Sequence, residues 1–261
     1  MKNKIILSCL LALGLSGCTA EFLEITPETS LSSVTFFKTE ADFTQAVNAC
    51  YVPLRTIYND RSYLLAEMHS DNTYYYRNTA FGATEQQEDL ADFSIPVSNN
   101  LTTNTHVLNQ YRQDYLIIAR ANQVLALIDK ADFDATSKAN LKGQAQFMRA
   151  LAYFDIYRYF NKGPLQLTRV ANREQAAAPL GTGDDLAKII IGDLTGAITG
   201  LKTKSTQEAG RATAGAARAL LANLYLIQKN WAGAEKLCRE IVAEGSYSLM
   251  ADYNNAFTNS T

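Results

Sequence analysis

The sequence predicts a mainly α-helical fold, an irregular array of helical hairpins with one long loop-rich insertion. Three observations predict it. Apolar residues recur at i, i+3, i+4 and i+7 in successive stretches, which puts them on one face of a 3.6-residue helix. Two Thr-x-x-Asp boxes, Thr39 with Asp42 and Thr182 with Asp185, stand where such stretches begin and can satisfy the first orphan amides of a helix. Residues 69–104 show neither period and are rich in Asn, Thr, Asp and Tyr. Loops of that length inside compact folds are uncommon and usually functional.

The first segment reads as an address. Lys2 and Lys4 precede an apolar stretch from Ile5 to Leu15, and small residues then lead to Cys18. This is the layout of a secretory signal, with an apolar run shorter than the roughly 20 residues a spanning helix needs. The ending Leu15, Ser16, Gly17, Cys18 resembles the bacterial lipobox, in which the cysteine is acylated and becomes the new N-terminus. Residues 1–17 are therefore expected to be a lipoprotein signal peptide. Their removal takes Lys2 and Lys4 with it and turns the net charge from −2 to −4.

The remaining elements follow in order. Residues 18–38 are interrupted by Pro27 and several Ser and Thr, and read as an extended lead. After the Thr39 box comes a helix with the stripe Phe43, Ala46, Val47, Cys50, Tyr51 and Leu54. Beyond the insertion, Leu108, Tyr111, Tyr115, Ile118, Asn122, Leu125 and Ile128 mark a long helix whose face is apolar except at Asn122. A turn over 131–134 leads to a second long helix with Phe147, Ala150, Leu151, Phe154 and Tyr157, stopped by Gly163 and Pro164. Two long helices so closely joined pack as an antiparallel hairpin. The Thr182 box opens a helix bearing Leu186, Ile189, Ile190 and Leu194. Finally, residues 211–245 form a helix pair in which the small Ala222 and Ala234 allow close approach, with Trp231 expected as the aromatic anchor between the two. This pair resembles a tetratricopeptide (TPR) unit, and the other hairpins exceed its usual period of about 34 residues, so the array is TPR-like but irregular.

Composition narrows the function. With 47% apolar and 19% charged residues the chain is not disordered. With 24 basic against 26 acidic residues and no long basic run, it lacks the footprint of a nucleic-acid binder. His69 and His106 are the only histidines and have no i,i+4 partner of metal-binding type, so no metal or cofactor is expected. In an oxidising envelope Cys50 and Cys238 have the option of pairing, but their helical surroundings read as two buried thiols. Asp132-Phe-Asp134 starts like a calcium loop yet has Ser137 and Gly143 where Gly and Glu are needed, so it reads as a helix cap. Nothing resembles a G-x-S-x-G elbow or a designated carboxylate pair. No catalytic residue is expected, and the chain reads as a non-enzyme.

Several stretches, taken together, carry a family resemblance. They are Cys18 with Phe22, Leu23 and Pro27; Phe36 and Phe37 before Thr39, with Asp42 and Tyr51; Tyr115 with Ala121 and Asn122; the run from Gly143 to Ala150, continuing through Tyr153, Phe154 and Phe160 to Gly163, Pro164 and Leu165; and Gly210-Arg211 leading to Ala216, Ala217, Leu220, Leu221, Tyr225 and Leu226. In this order, behind a lipobox, they resemble the SusD/RagB family of outer-membrane lipoproteins of Bacteroidetes. A departure is Tyr111, where the family often has Trp. The resemblance implies TPR-like units on one side and a loop-rich ligand surface on the other. It also implies a palmitate-type lipid anchor at Cys18, an outer-membrane, surface-facing location, and a TonB-dependent (SusC-like) transporter as partner. The ligand it implies is a glycan, or in some members a peptide. Family members are longer, so residues 18–261 correspond to their N-terminal helical region, and the C-terminal half, which supplies part of the ligand surface, is expected to be missing.

Within the insertion, residues 69–82 read HSDNTYYYRNTAFG. Three consecutive tyrosines cannot all face one core, so at least one points to solvent. An exposed ring in a long loop can stack on a sugar while polar neighbours bond its hydroxyls. The candidate ligand-binding residues are Asp71, Asn72, Tyr74, Tyr75, Tyr76, Arg77, Asn78 and Phe81. Asn122 is expected to be a buried amide bonded to a neighbouring backbone, Arg149 a structural ion-pair or carbonyl-capping residue, and Lys202 and Lys204 a solvated turn. An adaptor whose TPR-like face recruits proteins alone is the competing reading.

Overall fold

The computed structural model describes residues 36–60, 62–75, 80, 85–95 and 104–256. The chain divides into two units, Met1–Lys38 and Thr39–Thr261. In the first, only residues 36–38 are described, with the Phe36 and Phe37 rings edge to face at 5.1 Å. Cys18 and the signal segment lie outside the described residues.

The second unit carries, among its described residues, eight α helices: α1 (Glu40–Asp60), α2 (Ser62–Glu67), α3 (Glu85–Ala91), α4 (Thr105–Leu127), α5 (Ala135–Phe160), α6 (Gly183–Gly200), α7 (Ala214–Ile227) and α8 (Trp231–Glu244). Two short strands, β1 (Lys162–Pro164) and β2 (Leu180–Thr182), pair antiparallel with Gly163 opposite Gly181. The expected array of helical hairpins is what the chain forms. Gly163 and Pro164 belong to β1, however, and α5 ends earlier, where Asn161 takes a left-handed conformation at φ 53°. The insertion also holds a helix, α3, too short for periodicity to reveal it.

Both capping boxes form. The Thr39 amide donates to Asp42 Oδ2 at 2.8 Å and the Asp42 amide to Thr39 Oγ1 at 3.3 Å, and Thr182 and Asp185 repeat the arrangement at α6. Helix α1 then buries Phe43, Val47, Cys50 and Ile57 along one face. Pro53 lies within it and has no amide hydrogen to give the Ala49 carbonyl one turn back. Arg120 of α4 supplies the missing donor, its Nη1 reaching Ala49 O at 2.6 Å. Arg120→Met should therefore cost about 1–3 kcal/mol, the usual penalty for a stranded carbonyl. That cost should shrink in a Pro53→Ala background, where the alanine amide takes over the bond, and a double-mutant cycle by urea denaturation measures the coupling.

Helix α5 is the centre of the fold and packs on α1, α4, α6 and α7. Its partner α4 is capped by Asn104, whose Oδ1 accepts from the His106 and Val107 amides, and α5 itself by Asp134, which accepts from the Ser137 amide at 2.8 Å. The approach of α5 to α6 needs small residues. A Cβ on Gly200 would stand 2.6 Å from the Ala139 carbonyl oxygen, which backbone packing cannot accommodate.

A buried polar network joins α4, α5 and α6 to the chain after β1. Arg149 bonds Asp193 through both Nε and Nη2 at 2.7 Å, and its Nη1 donates to Asn122 Oδ1 at 2.7 Å and to Leu167 O at 3.3 Å. Asn122 in turn donates to Gln166 O and Thr168 O, Tyr153 to Gln166 O, and Tyr115 to Pro164 O. Asn122 and Arg149 thus play the structural parts expected of them. The face of α4 is more polar than its pattern suggests, since Gln110 and Asp114 are also fully buried. Asp114 accepts from Gln110 Nε2 at 3.1 Å on each oxygen. Burial, reinforced by the nearby Asp155 carboxylate, raises the Asp114 carboxyl well above the ordinary range.

The last hairpin closes on buried Ala222 and Ala234, with Arg218 of α7 paired to Glu240 and Glu244 of α8. Two expectations fail here. Trp231 opens α8 with 62% of its surface exposed and is not the buried anchor expected, and Cys238 is an exposed free thiol while Cys50 is a buried one. Helix α8 fully buries only Ala234 and Leu237, while Val242 on it is 78% exposed. Burial pushes the Cys50 thiol up to about 12.

Candidate functional site

The insertion begins in a tight turn built by its own polar residues. After α2, whose Leu64 and Leu65 are buried, the Ser70 amide and hydroxyl both donate to Glu67 O, at 3.1 and 2.8 Å. The Thr73 hydroxyl returns to the same carbonyl, and the Asn72 amide bonds Ser70 Oγ at 3.3 Å. Three donors on one carbonyl region fold residues 67–73 back on themselves, as short Ser and Thr side chains do when they compete with helix continuation. Asp71 and Asn72 are exposed at the tip of this turn.

Tyr74 leaves the turn with 66% of its surface exposed, and Tyr75 is half-buried. At least one ring of the cluster therefore faces solvent, as the argument from three consecutive tyrosines required. Tyr76, Arg77, Asn78 and Phe81 lie outside the described residues. The structure thus brings Asp71, Asn72, Tyr74 and Tyr75 into one segment, positioned by α2, which packs on α1 and α4.

The same surface contains a pair that local spacing does not reveal. The His69 imidazole lies flat against the Phe93 ring, with centroids 4.7 Å apart and planes inclined by 12°. Phe93 follows α3, is 71% exposed and has φ 54°, a conformation rare for an aromatic residue. Leu90, on the last turn of α3, is fully buried.

Elsewhere, a cavity of about 590 Å³ lies between α7, Ile241 and the 204–213 loop. Tyr247 forms its lip, with its hydroxyl 2.8 Å from Thr213 Oγ1 and the Lys204 ammonium over its ring at 4.8 Å. Lys202 and Lys204 are exposed, as the sequence suggests. Among the described residues no group of three or more His, Cys, Asp or Glu side chains is placed to hold a metal ion, and no helix is long and apolar enough to cross a membrane.

Comparison with known proteins adds to this geometry. Residues 21–226 match a SusD-like family described as starch-binding and associating with the outer membrane. SusD-like protein P25 of Formosa agariphila is 25% identical over 246 residues, covering 91% of this chain and 45% of the relative. Among solved structures, a SusD superfamily protein of Bacteroides vulgatus superposes with a TM-score of 0.75 at 24% identity, over 87% of this chain and 48% of that one. A SusD-like carbohydrate binding protein of Bacteroides fragilis does so with a TM-score of 0.69 at 25% identity, over 84% and 43%. The chain spans a little under half the length of each of these three proteins.

Proposed function

Since this chain belongs to the SusD-like family, we propose that it captures oligosaccharides at the outer membrane and delivers them to a partner TonB-dependent transporter, without acting on them chemically. The observation that carries the reading is the exposed Tyr74 ring, set on a turn with Asp71 and Asn72 at its tip. Tyrosine offers an apolar face to the C–H surface of a pyranose, and the carboxylate and amide bond its hydroxyls. Tyr75, Tyr76, Arg77, Asn78 and Phe81 complete the proposed contact segment. The anchor is a lipid on Cys18, which partitions a soluble body to a membrane at about 0.8 kcal/mol per buried methylene.

Two experiments test delivery and anchoring. Affinity purification of the tagged full chain from its own membranes should recover a TonB-dependent transporter, and Cys18→Ser should abolish incorporation of labelled palmitate and release the protein from the membrane fraction. Recovery of soluble protein partners without any transporter would favour the adaptor reading. The exposed Trp231 and Val242 on α8 are the surface on which such partners would be sought.

A further inference from the structure

We propose that a pocket between α1, α5 and the loop over residues 201–213 binds a small zwitterion, an α-amino acid of the size of glycine, alanine or serine. None of its residues belongs to the insertion, so it stands or falls apart from the glycan reading. The anchor is Gln144 of α5, which is fully buried. Gln144 Oε1 accepts from the Tyr51 hydroxyl at 3.1 Å and from Arg211 Nη1 at 3.3 Å, while its Nε2 has no hydrogen-bond partner. Turning the amide over is no remedy, because Nε2 would then face a guanidinium that has only donors to offer. Buried polar groups are nearly always satisfied, so a donor left over at a cavity wall marks a place for an acceptor from outside the chain.

The cavity that Gln144 lines measures about 160 Å³, the share of roughly five water molecules. Tyr51 and Asn48, which belong to the Oε1 side of the network, line the adjoining cavity instead, so this one receives the Nε2 end. Asn140 on the wall spends its amide on Gln207 and on the Lys202 backbone. Four charged groups border the space, and two of them cancel, since Arg211 Nε is bonded to Glu208. The other two, the Lys202 ammonium and the Glu40 carboxylate, have no ion pair or hydrogen bond among the described residues. A simple anion or cation would meet a like charge there as well as an opposite one. A net-neutral molecule carrying both charges suits the whole set: its carboxylate takes Gln144 Nε2 and Lys202, its ammonium takes Glu40, and the Thr44 and Ser137 hydroxyls serve either end. The volume admits only a short side chain.

Isothermal titration of the full chain with glycine, L-alanine and L-serine tests this, with acetate and methylammonium as single-charge probes and melting temperatures measured in parallel. Saturable binding of an amino acid is expected, with each single-charge probe weaker by about tenfold or more. Gln144→Glu keeps an acceptor for Tyr51 and Arg211 but sets a carboxylate oxygen where the orphan donor stands, so it should weaken binding about tenfold or more while the melting temperature holds. Lys202→Ala and Glu40→Gln, both at exposed positions, should each weaken it about threefold to tenfold, and they carry the test where Gln144→Glu fails to fold. Undiminished binding by Gln144→Glu and Lys202→Ala overturns the site. Acetate bound as tightly as glycine, or undiminished binding by Glu40→Gln, overturns the zwitterion as its ligand. No saturable heat with any of the three amino acids means that water alone fills the cavity, which overturns the proposal and leaves the glycan reading standing.

Discussion

Arg149→Met is expected to destabilise the second unit by about 3–5 kcal/mol, the range for stranding one partner of a buried ion pair. Asp193 is nearly inaccessible, and burial already raises its carboxyl above the ordinary value against the pull of the guanidinium. Without Arg149 the carboxylate keeps its desolvation cost and loses two 2.7 Å bonds. Asn122 and Leu167 O lose a donor as well. Arg149→Lys should recover only part of the loss, because an ammonium cannot reproduce the planar fork. Arg149→Met combined with Asp193→Leu should recover most of it, since a buried pair replaced by apolar groups is often neutral. Guanidinium denaturation of the three variants measures these differences, and a single-variant cost below about 1 kcal/mol would place the network outside the stabilising core.

Asp114→Asn should stabilise the protein, by an amount that grows with pH. The folded state holds this carboxyl well above its ordinary value, because it is fully buried beside Asp155, with Gln110 as its donor and Arg158 already committed to Asp155 at 2.6 Å. A group raised in this way binds its proton more tightly in the folded state, so its contribution is fully present below the ordinary carboxylate range and is lost as pH rises toward the folded value. The neutral asparagine escapes that loss. Thermal melts of parent and variant from pH 4 to pH 8 should diverge steadily, with a difference of about 1–3 kcal/mol at the upper end. Parallel curves would show that Asp114 is ionised in the fold.

The two networks show where sequence reading succeeds. Asn122 was legible because it interrupts an otherwise apolar helical stripe, and Arg149 because it stands among apolar neighbours in the run Phe147-Met-Arg-Ala150, where a polar group must find a partner. Gln110 and Asp114 were not, because the stripe chosen from apolar spacing runs through Leu108, Tyr111 and Tyr115, which are only half-buried, while the true face is rotated to include the polar pair. Trp231 and Cys238 were misread for the opposite reason. Their periodicity is real, but α8 packs on α7 with only Ala234 and Leu237 buried, and local pattern cannot say whether a further layer covers a helix.

The candidate site divides in the same way. That one of the three consecutive tyrosines is exposed followed from their polar surroundings, a strictly local argument, but which of them it is did not. The pairing of His69 with Phe93 joins residues of the insertion on either side of α3, so no window of spacing contains it. The left-handed Phe93 carries no local mark either, since the residue usually found at that position is glycine.

The central claim is that the aromatic surface beginning at Tyr74 binds glycan. Isothermal titration of the full chain with a soluble malto-oligosaccharide series tests it most directly. The account predicts saturable binding to the parent, weakened about tenfold or more by Tyr74→Ala at unchanged melting temperature, with a negative heat-capacity change from the covered ring. Equal heats for parent and Tyr74→Ala across the series would contradict it.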